Sequence, residues 1–101
     1  MTLRELIDFL TDKDADIVAK IGFANPHSYR GYYDELAFEP AENVTVGKML
    51  ESAKKALGTT YCGWKGGDFK MEEYTDVWLA VEGRCGEGIG PTLLLYMVGE
   101  L

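Results

Sequence analysis

Thr45-Val46-Gly47-Lys48-Met49-Leu50-Glu51-Ser52-Ala53-Lys54-Lys55-Ala56-Leu57-Gly58 is the stretch from which the fold can be read outward. Val46, Met49, Leu50, Ala53 and Leu57 recur at the spacing that lays one apolar stripe along a helix. Thr45 supplies an N-cap hydroxyl, and Gly58 is free to take the left-handed backbone that ends a helix. A helix with one apolar stripe must bury it against another layer. Asp76–Glu82 supplies a strand for that layer, because Val77, Leu79 and Val81 alternate with Trp78 and Ala80.

The remaining elements follow from the same two periods. Thr2-Leu3-Arg4-Glu5 has the residues of a capping box, and Leu3, Leu6, Ile7 and Leu10 continue it as a short amphipathic helix. Ile17–Phe23 reads as a strand with Ile17, Ala19, Ile21 and Phe23 inward, ended by Asn25-Pro26. A loop from His27 to Tyr33 precedes a strand over Glu35–Glu39, with Leu36 and Phe38 on one face and Pro40 as its stop. Thr59–Trp64 is a further strand. Lys65-Gly66-Gly67-Asp68 is a hairpin turn in which glycine supplies positive φ, and Phe69–Met71 leaves it. The glycine-rich run Gly83–Gly90 reads either as a mobile lid carrying Arg84 or as a long hairpin connection. Thr92–Val98 is nearly all apolar, and so reads as a strand buried on both faces or covered by a second subunit.

The sum is an α+β fold: a mostly antiparallel sheet of about five or six short strands with two helices packed on one face. The 101 residues make one domain over 1–101. A domain this small buries a modest share of its surface, so a homo-oligomer is the expected way to complete the core.

Charge narrows the function classes. Ten Lys and Arg against seventeen Asp and Glu give −7, which argues against wrapping long nucleic acid. No apolar run approaches the ~20 residues of a membrane-spanning helix. The first residues, MTLRELIDFLTDK, lack the apolar core of a secretory signal, and Cys62 and Cys85 form no CxxC pair or disulfide framework. The expectation is a reduced, cytoplasmic protein with both thiols acting as small hydrophobes rather than forming a Cys62–Cys85 bridge.

Positive charge is unevenly placed. Arg30, Lys65, Lys70 and Arg84 lie in or beside glycine- and aromatic-rich turns. Ser28-Tyr29-Arg30-Gly31-Tyr32-Tyr33 combines hydroxyls, a guanidinium and an unshielded backbone amide, the parts of a phosphate grip, with rings to stack on a base. The bland alternative is a tyrosine-rich turn braced by Arg30 on Asp34 or Glu35. Trp64-Lys65-Gly66-Gly67-Asp68-Phe69 is a second candidate: Lys65 is a point charge, Gly66 and Gly67 line a turn with amides, and Trp64 or Phe69 forms a wall. It is not a P-loop, since the lysine precedes the glycines. The candidate ligand residues are therefore Ser28, Tyr29, Arg30, Gly31, Tyr32, Trp64, Lys65, Gly66, Gly67, Phe69 and Arg84.

Catalytic and metal chemistry is poorly supplied. One histidine, His27, rules out multi-His sites, no Cys/His set has zinc spacing, and no cofactor is implied. A nucleophile pairing would need His27 to meet Cys62 or Cys85. Glu35 and Glu39 fall on one face of a strand as a paired-carboxylate site would, although exposed strand positions carry such charges anyway.

Taken together, Ser28-Tyr29-Arg30-Gly31-Tyr32, Leu36-Ala37-Phe38-Glu39-Pro40 and Lys65-Gly66-Gly67-Asp68-Phe69, with Met71, Thr75 and Trp78, resemble a family of small, largely uncharacterised bacteriophage and prophage proteins. The resemblance runs from the first strand to Trp78. It implies an early or accessory phage protein in the bacterial cytoplasm, and transfers no catalytic residue. By analogy with phage proteins of similar size, it implies a sponge that sequesters a nucleotide-derived immune signal. The expectation is thus a non-enzymatic protein binding a small phosphorylated nucleotide-like ligand. The alternatives are an acidic inhibitor of a host enzyme, or a small hydrolase using His27 or Glu35 and Glu39.

Overall fold

The computed structural model describes residues 1–63, 65–82 and 85–100. Among them the order is α1 (Leu3–Thr11), β1 (Val18–Ser28), β2 (Leu36–Thr45), α2 (Val46–Ala56), β3 (Thr60–Cys62), β4 (Asp68–Lys70), β5 (Val77–Glu82), β6 (Cys85–Gly88) and α3 (Pro91–Met97). The architecture is α+β. One four-stranded sheet runs β1-β2-β5-β6, and β3 and β4 form a separate hairpin. Neighbours are antiparallel except β2 and β5, which are parallel. Parallel strands need a crossover, and here α2 and the β3–β4 hairpin occupy it.

Local chemistry sets both long helices. The Thr2 hydroxyl accepts from Glu5 N–H while the Glu5 carboxylate accepts from Thr2 N–H at 2.9 Å, completing the capping box. Leu3, Leu6, Ile7 and Leu10 of α1 are buried. Thr45 caps α2 through Lys48 N–H, and Gly58 follows the C-cap at φ +81° as the sequence requires. The inward face of α2 is Val46, Met49, Ala53 and Ala56, with Leu50 and Leu57 half-buried at its margins. Phe23 of β1 and Phe38 of β2, both fully buried, meet at 4.4 Å in the same core as Leu3, Met71, Val77 and Leu94. Burying each such side chain contributes about 1.5–3 kcal/mol.

Several expectations are corrected. β1 does not stop at Asn25-Pro26. It continues to Ser28 through an irregularity between Ala24 and His27, with Asn25 at φ +51°. A bulge tolerates a proline that a regular ladder would not. β2 likewise passes Pro40 to reach Thr45. Only Leu36–Phe38 pair with β5, so Pro40, opposite Phe23, lies where β2 is paired on the β1 side alone. Ile21 is not inward: it is 53% exposed, while Gly22 is buried with Ala19 and Phe23. The cause lies across the ladder, where Asn43, at φ +52°, sits between the partners of Ala19 and Ile21.

Thr92–Val98 is not a strand. Pro91–Met97 form a third helix with Gly90 as N-cap and Pro91 in the first turn, burying Leu94 and Met97 three residues apart. The apolar run hides that period because Tyr96, 65% exposed, lies on the outer face. Part of the glycine-rich run is a strand as well, since Cys85–Gly88 pair with β5. Gly83 and Arg84, and the lid or connection read there, lie outside the described residues. Cys62 is a free thiol and exposed rather than a buried small hydrophobe.

Candidate functional site

The turn between β1 and β2 is fastened by its own backbone. Tyr29 N–H donates to Glu35 O at 2.8 Å, Glu35 N–H to Tyr32 O at 2.9 Å, and Ser28 Oγ to Tyr33 O at 2.6 Å. Because β2 and β5 pair with Ala37 beside Trp78, the Trp78 side chain reaches this turn. Its ring stacks on Tyr29 with centroids 4.6 Å apart and planes 12° apart, and its Nε1–H donates to Glu35 Oε1 at 2.6 Å. Tyr32 tilts across both rings at 6.1 and 6.2 Å and is 58% exposed.

Tyr33 connects this turn to the hairpin, meeting Phe69 of β4 with centroids 6.1 Å apart. The hairpin turn itself closes through Gly63 N–H to Gly67 O at 2.8 Å and Gly66 N–H to Gly63 O at 3.0 Å. Gly66 and Gly67 take φ of +99° and +86°, so the expected glycine turn is present. A Cβ on Gly63 would come within 2.8 Å of the Phe69 ring, which places that ring against the turn. Tyr61 of β3 is partly buried, and loss of water pushes its phenol above the ordinary tyrosine value, partly offset by a hydrogen bond with Thr59. It therefore stays protonated at neutral pH.

The expected ligand residues thus divide. Ser28 and Tyr29 are buried and hold the turn, and Gly31 gives way to the Tyr29 ring, which a Cβ there would meet at 2.7 Å. Phe69 is half-buried under the hairpin turn, and Gly66 and Gly67 shape that turn. Arg30 is half-buried and held by contacts within the chain. Tyr32 and Lys65 present themselves to solvent, and among the described residues no carboxylate pairs with Lys65. Lys70, by contrast, lies 4.0 Å from Glu72. Trp64 and Arg84 lie outside the described residues.

Two residues central to this region, Trp78 and Glu35, are not among those singled out as ligand residues. The available signal was a large aromatic on the face of β5 opposite the core, where a polar residue is the usual occupant. The carboxylate pair does not act as a unit. Glu35 precedes β2 and binds Trp78, while Glu39 Oε1 meets His27 Nε2 at 2.9 Å. His27 Nδ1 also lies 2.9 Å from Ser28 O, so both ring nitrogens are occupied by oxygens of the chain. That arrangement braces the bulge and presents neither nitrogen to a substrate. No group of three His, Cys, Asp or Glu side chains among the described residues is placed to hold a metal ion. No helix among them is long and apolar enough to cross a membrane.

No family model, curated protein or solved structure matches the chain.

Proposed function

We propose that the protein is a non-enzymatic binding module that holds a small phosphorylated, ring-bearing ligand where the Tyr29–Glu35 turn adjoins the β3–β4 hairpin. The observation that carries this reading is the Tyr33–Phe69 contact, which seats the turn bearing Arg30 beside the turn bearing Lys65, with Tyr32 exposed there. Tyr32 offers an open ring face for stacking on a base, and Lys65 an ammonium for phosphate. Ser28, Tyr29, Trp78 and Glu35 hold the turn in one shape before the ligand arrives, which lowers the ordering cost of binding. His27, the chain's one histidine, has both ring nitrogens on oxygens of the chain, which suits sequestration better than turnover. The ligand class is a cyclic oligonucleotide or an ADP-ribose derivative, and the setting is that of a phage accessory protein acting in the host cytoplasm against a nucleotide-signalled defence.

Thermal unfolding in the presence of cyclic dinucleotides, cyclic trinucleotides and ADP-ribose derivatives tests the reading. A bound ligand must stabilise the folded state, by about 2.7 kcal/mol at a hundredfold excess over Kd, and so raise Tm. A shift below about 1–2 °C with every ligand at saturation overturns it. Ligand recovered intact after denaturing the complex supports binding, and recovery of cleaved ligand rejects the non-enzymatic reading.

A further inference from the structure

A groove of about 320 Å³ runs between the β1 bulge and α2, and shares no lining residue with the Tyr29–Glu35 turn or the β3–β4 hairpin. Lys48, Glu51, Ser52 and Lys55 of α2 form one wall. Ala24, Asn25 and Pro26 of β1, with Val44 of β2, form the other. Lys48, Ser52 and Lys55 share one helix face, because four and then three residues separate them. Among the described residues no carboxylate pairs with Lys48 or Lys55. Glu51 stands four residues before Lys55, the ordinary spacing of a helix ion pair, and closes none. Ser52 is half-buried in α2, where a hydroxyl commonly bonds the carbonyl four residues back. Thr11 does so to Ile7 O at 2.7 Å, and Thr59 to Lys55 O at 2.6 Å. Ser52 makes no such bond among the described residues, and lines the groove. Across from it the bulge turns Asn25 out of the ladder at φ +51°, and its side-chain amide takes no partner among the described residues.

We propose that this groove is a second binding site, which takes a small phosphorylated polyol, the class that includes sugar phosphates. Two ammoniums, a hydroxyl and an amide supply donors for the phosphate oxygens. Lys48 and Lys55 start about 10.5 Å apart along the helix axis, with Ser52 between them. Their flexible four-carbon stems let both ammoniums close on one anion beside the Ser52 hydroxyl. Glu51 only accepts, and it repels phosphate, so it falls to a hydroxyl of the same ligand. That carboxylate is what separates a polyol phosphate from a bare oxyanion. The groove is at the small end of ligand sites, and its described lining holds no aromatic ring, so a base finds no stacking surface. It therefore calls for a different ligand from the ring-bearing one read at the Tyr29–Glu35 turn. At physiological salt, charges beyond about 8 Å are largely screened, so the chain's −7 weighs less on the anion than these adjacent donors.

Titrating glycerol phosphate into isotope-labelled protein at constant ionic strength, followed by amide NMR, tests this, with glycerol and inorganic phosphate as separate arms. Amide resonances of Asn25, Ser52 and Lys55 should shift saturably with glycerol phosphate. Inorganic phosphate should bind there more weakly, and glycerol should move none of them. Lys48→Ala and Lys55→Ala should each weaken binding about tenfold or more, the worth of one charge-assisted hydrogen bond. Glu51→Gln removes the repulsion and should tighten inorganic phosphate. Lys54→Ala, on the same helix but outside the groove, should leave binding unchanged. Thermal melts confirm that each variant folds. The absence of any saturable shift, a Lys54→Ala effect equal to that of Lys55→Ala, or saturable shifts confined to Tyr29–Glu35 and Lys65 would each overturn the proposal. Inorganic phosphate that binds as tightly as glycerol phosphate would overturn the polyol assignment.

Discussion

Gly86 and Gly88 lie two residues apart on β6, opposite Ala80 and Trp78 of β5, and alanine at the two positions meets very different surroundings. A Cβ on Gly86 would stand 2.7 Å from Tyr29 Cε1 and 3.0 Å from its hydroxyl oxygen. On Gly88 the nearest atoms are Trp78 ring carbons at 3.8 and 3.9 Å, an ordinary contact. Tyr29 cannot simply swing away from a methyl at 86. Its other neighbours are the stacked Trp78 ring at 4.6 Å and Gly31, and its own N–H is bonded to Glu35. Overpacking of this kind costs about 1–3 kcal/mol. For a domain of this size, 1 kcal/mol corresponds to about 4–8 °C in Tm. Gly86→Ala should therefore lower Tm by about 4–24 °C and weaken the near-ultraviolet circular dichroism of the Tyr29–Trp78 stack. Gly88→Ala should be neutral, or raise stability by up to about 1 kcal/mol through the unfolded chain. Urea unfolding of both variants measures the difference. If they agree within about 0.5 kcal/mol, the reasoning fails, because Tyr29 is then not wedged and the turn is not pre-formed.

Other perturbations separate holding residues from presenting ones. Tyr32→Ala and Lys65→Ala should change unfolding free energy by no more than about 0.5 kcal/mol yet abolish the ligand-induced Tm shift, as read by thermal melts with and without ligand. Trp78→Phe keeps a ring against Tyr29 but removes the donor to Glu35, and should cost about 1–2 kcal/mol in urea unfolding. In α3, Leu94→Ala should cost about 2–5 kcal/mol and Tyr96→Ala almost nothing, whereas a doubly buried strand would make both severe. Thr2 N–H, then the Thr2 hydroxyl, holds the Glu5 carboxylate below its ordinary value. A carboxylate depressed in the folded state stabilises above its unfolded value and loses that contribution as pH falls through the folded one. Glu5→Gln should therefore flatten the acid limb of a stability–pH curve below the usual carboxylate range and lower stability at neutral pH.

Elements whose signals are local were legible in the chain. The Thr2–Glu5 capping box, the Thr45 cap and the Gly58 stop each depend on residues within one turn of helix, so neighbours in sequence suffice to specify them. The Gly66-Gly67 turn is legible for the same reason. Pro26 and Pro40 misled because a proline ends a strand only where its N–H would have been used, and that depends on what lies alongside. Ile21 misled because its direction is set across the ladder, where Asn43, beside its partner Glu42, takes φ +52°. The apolar run at Thr92–Val98 carried no clear period, and its helix is decided by Pro91 in the first turn and by which residues the core accepts.

The site divides along the same line. Residue types alone marked Arg30, Tyr32 and Lys65 as the chemistry of an anion and a flat ring, because charge, ring and hydroxyl are properties a residue carries wherever it sits. Which rings are spent on holding the turn is a matter of pairing. The parallel alignment of β2 with β5 brings Trp78 under Tyr29 and Glu35, and β4 brings Phe69 to Tyr33. Those partners are more than thirty residues apart in the chain, and no local period records a contact made at that separation. The sequence by itself therefore determined α1, α2, the turn glycines and the inventory of binding groups. Only the tertiary structure decided which of those groups face solvent, because exposure is what remains after every long-range contact has been made.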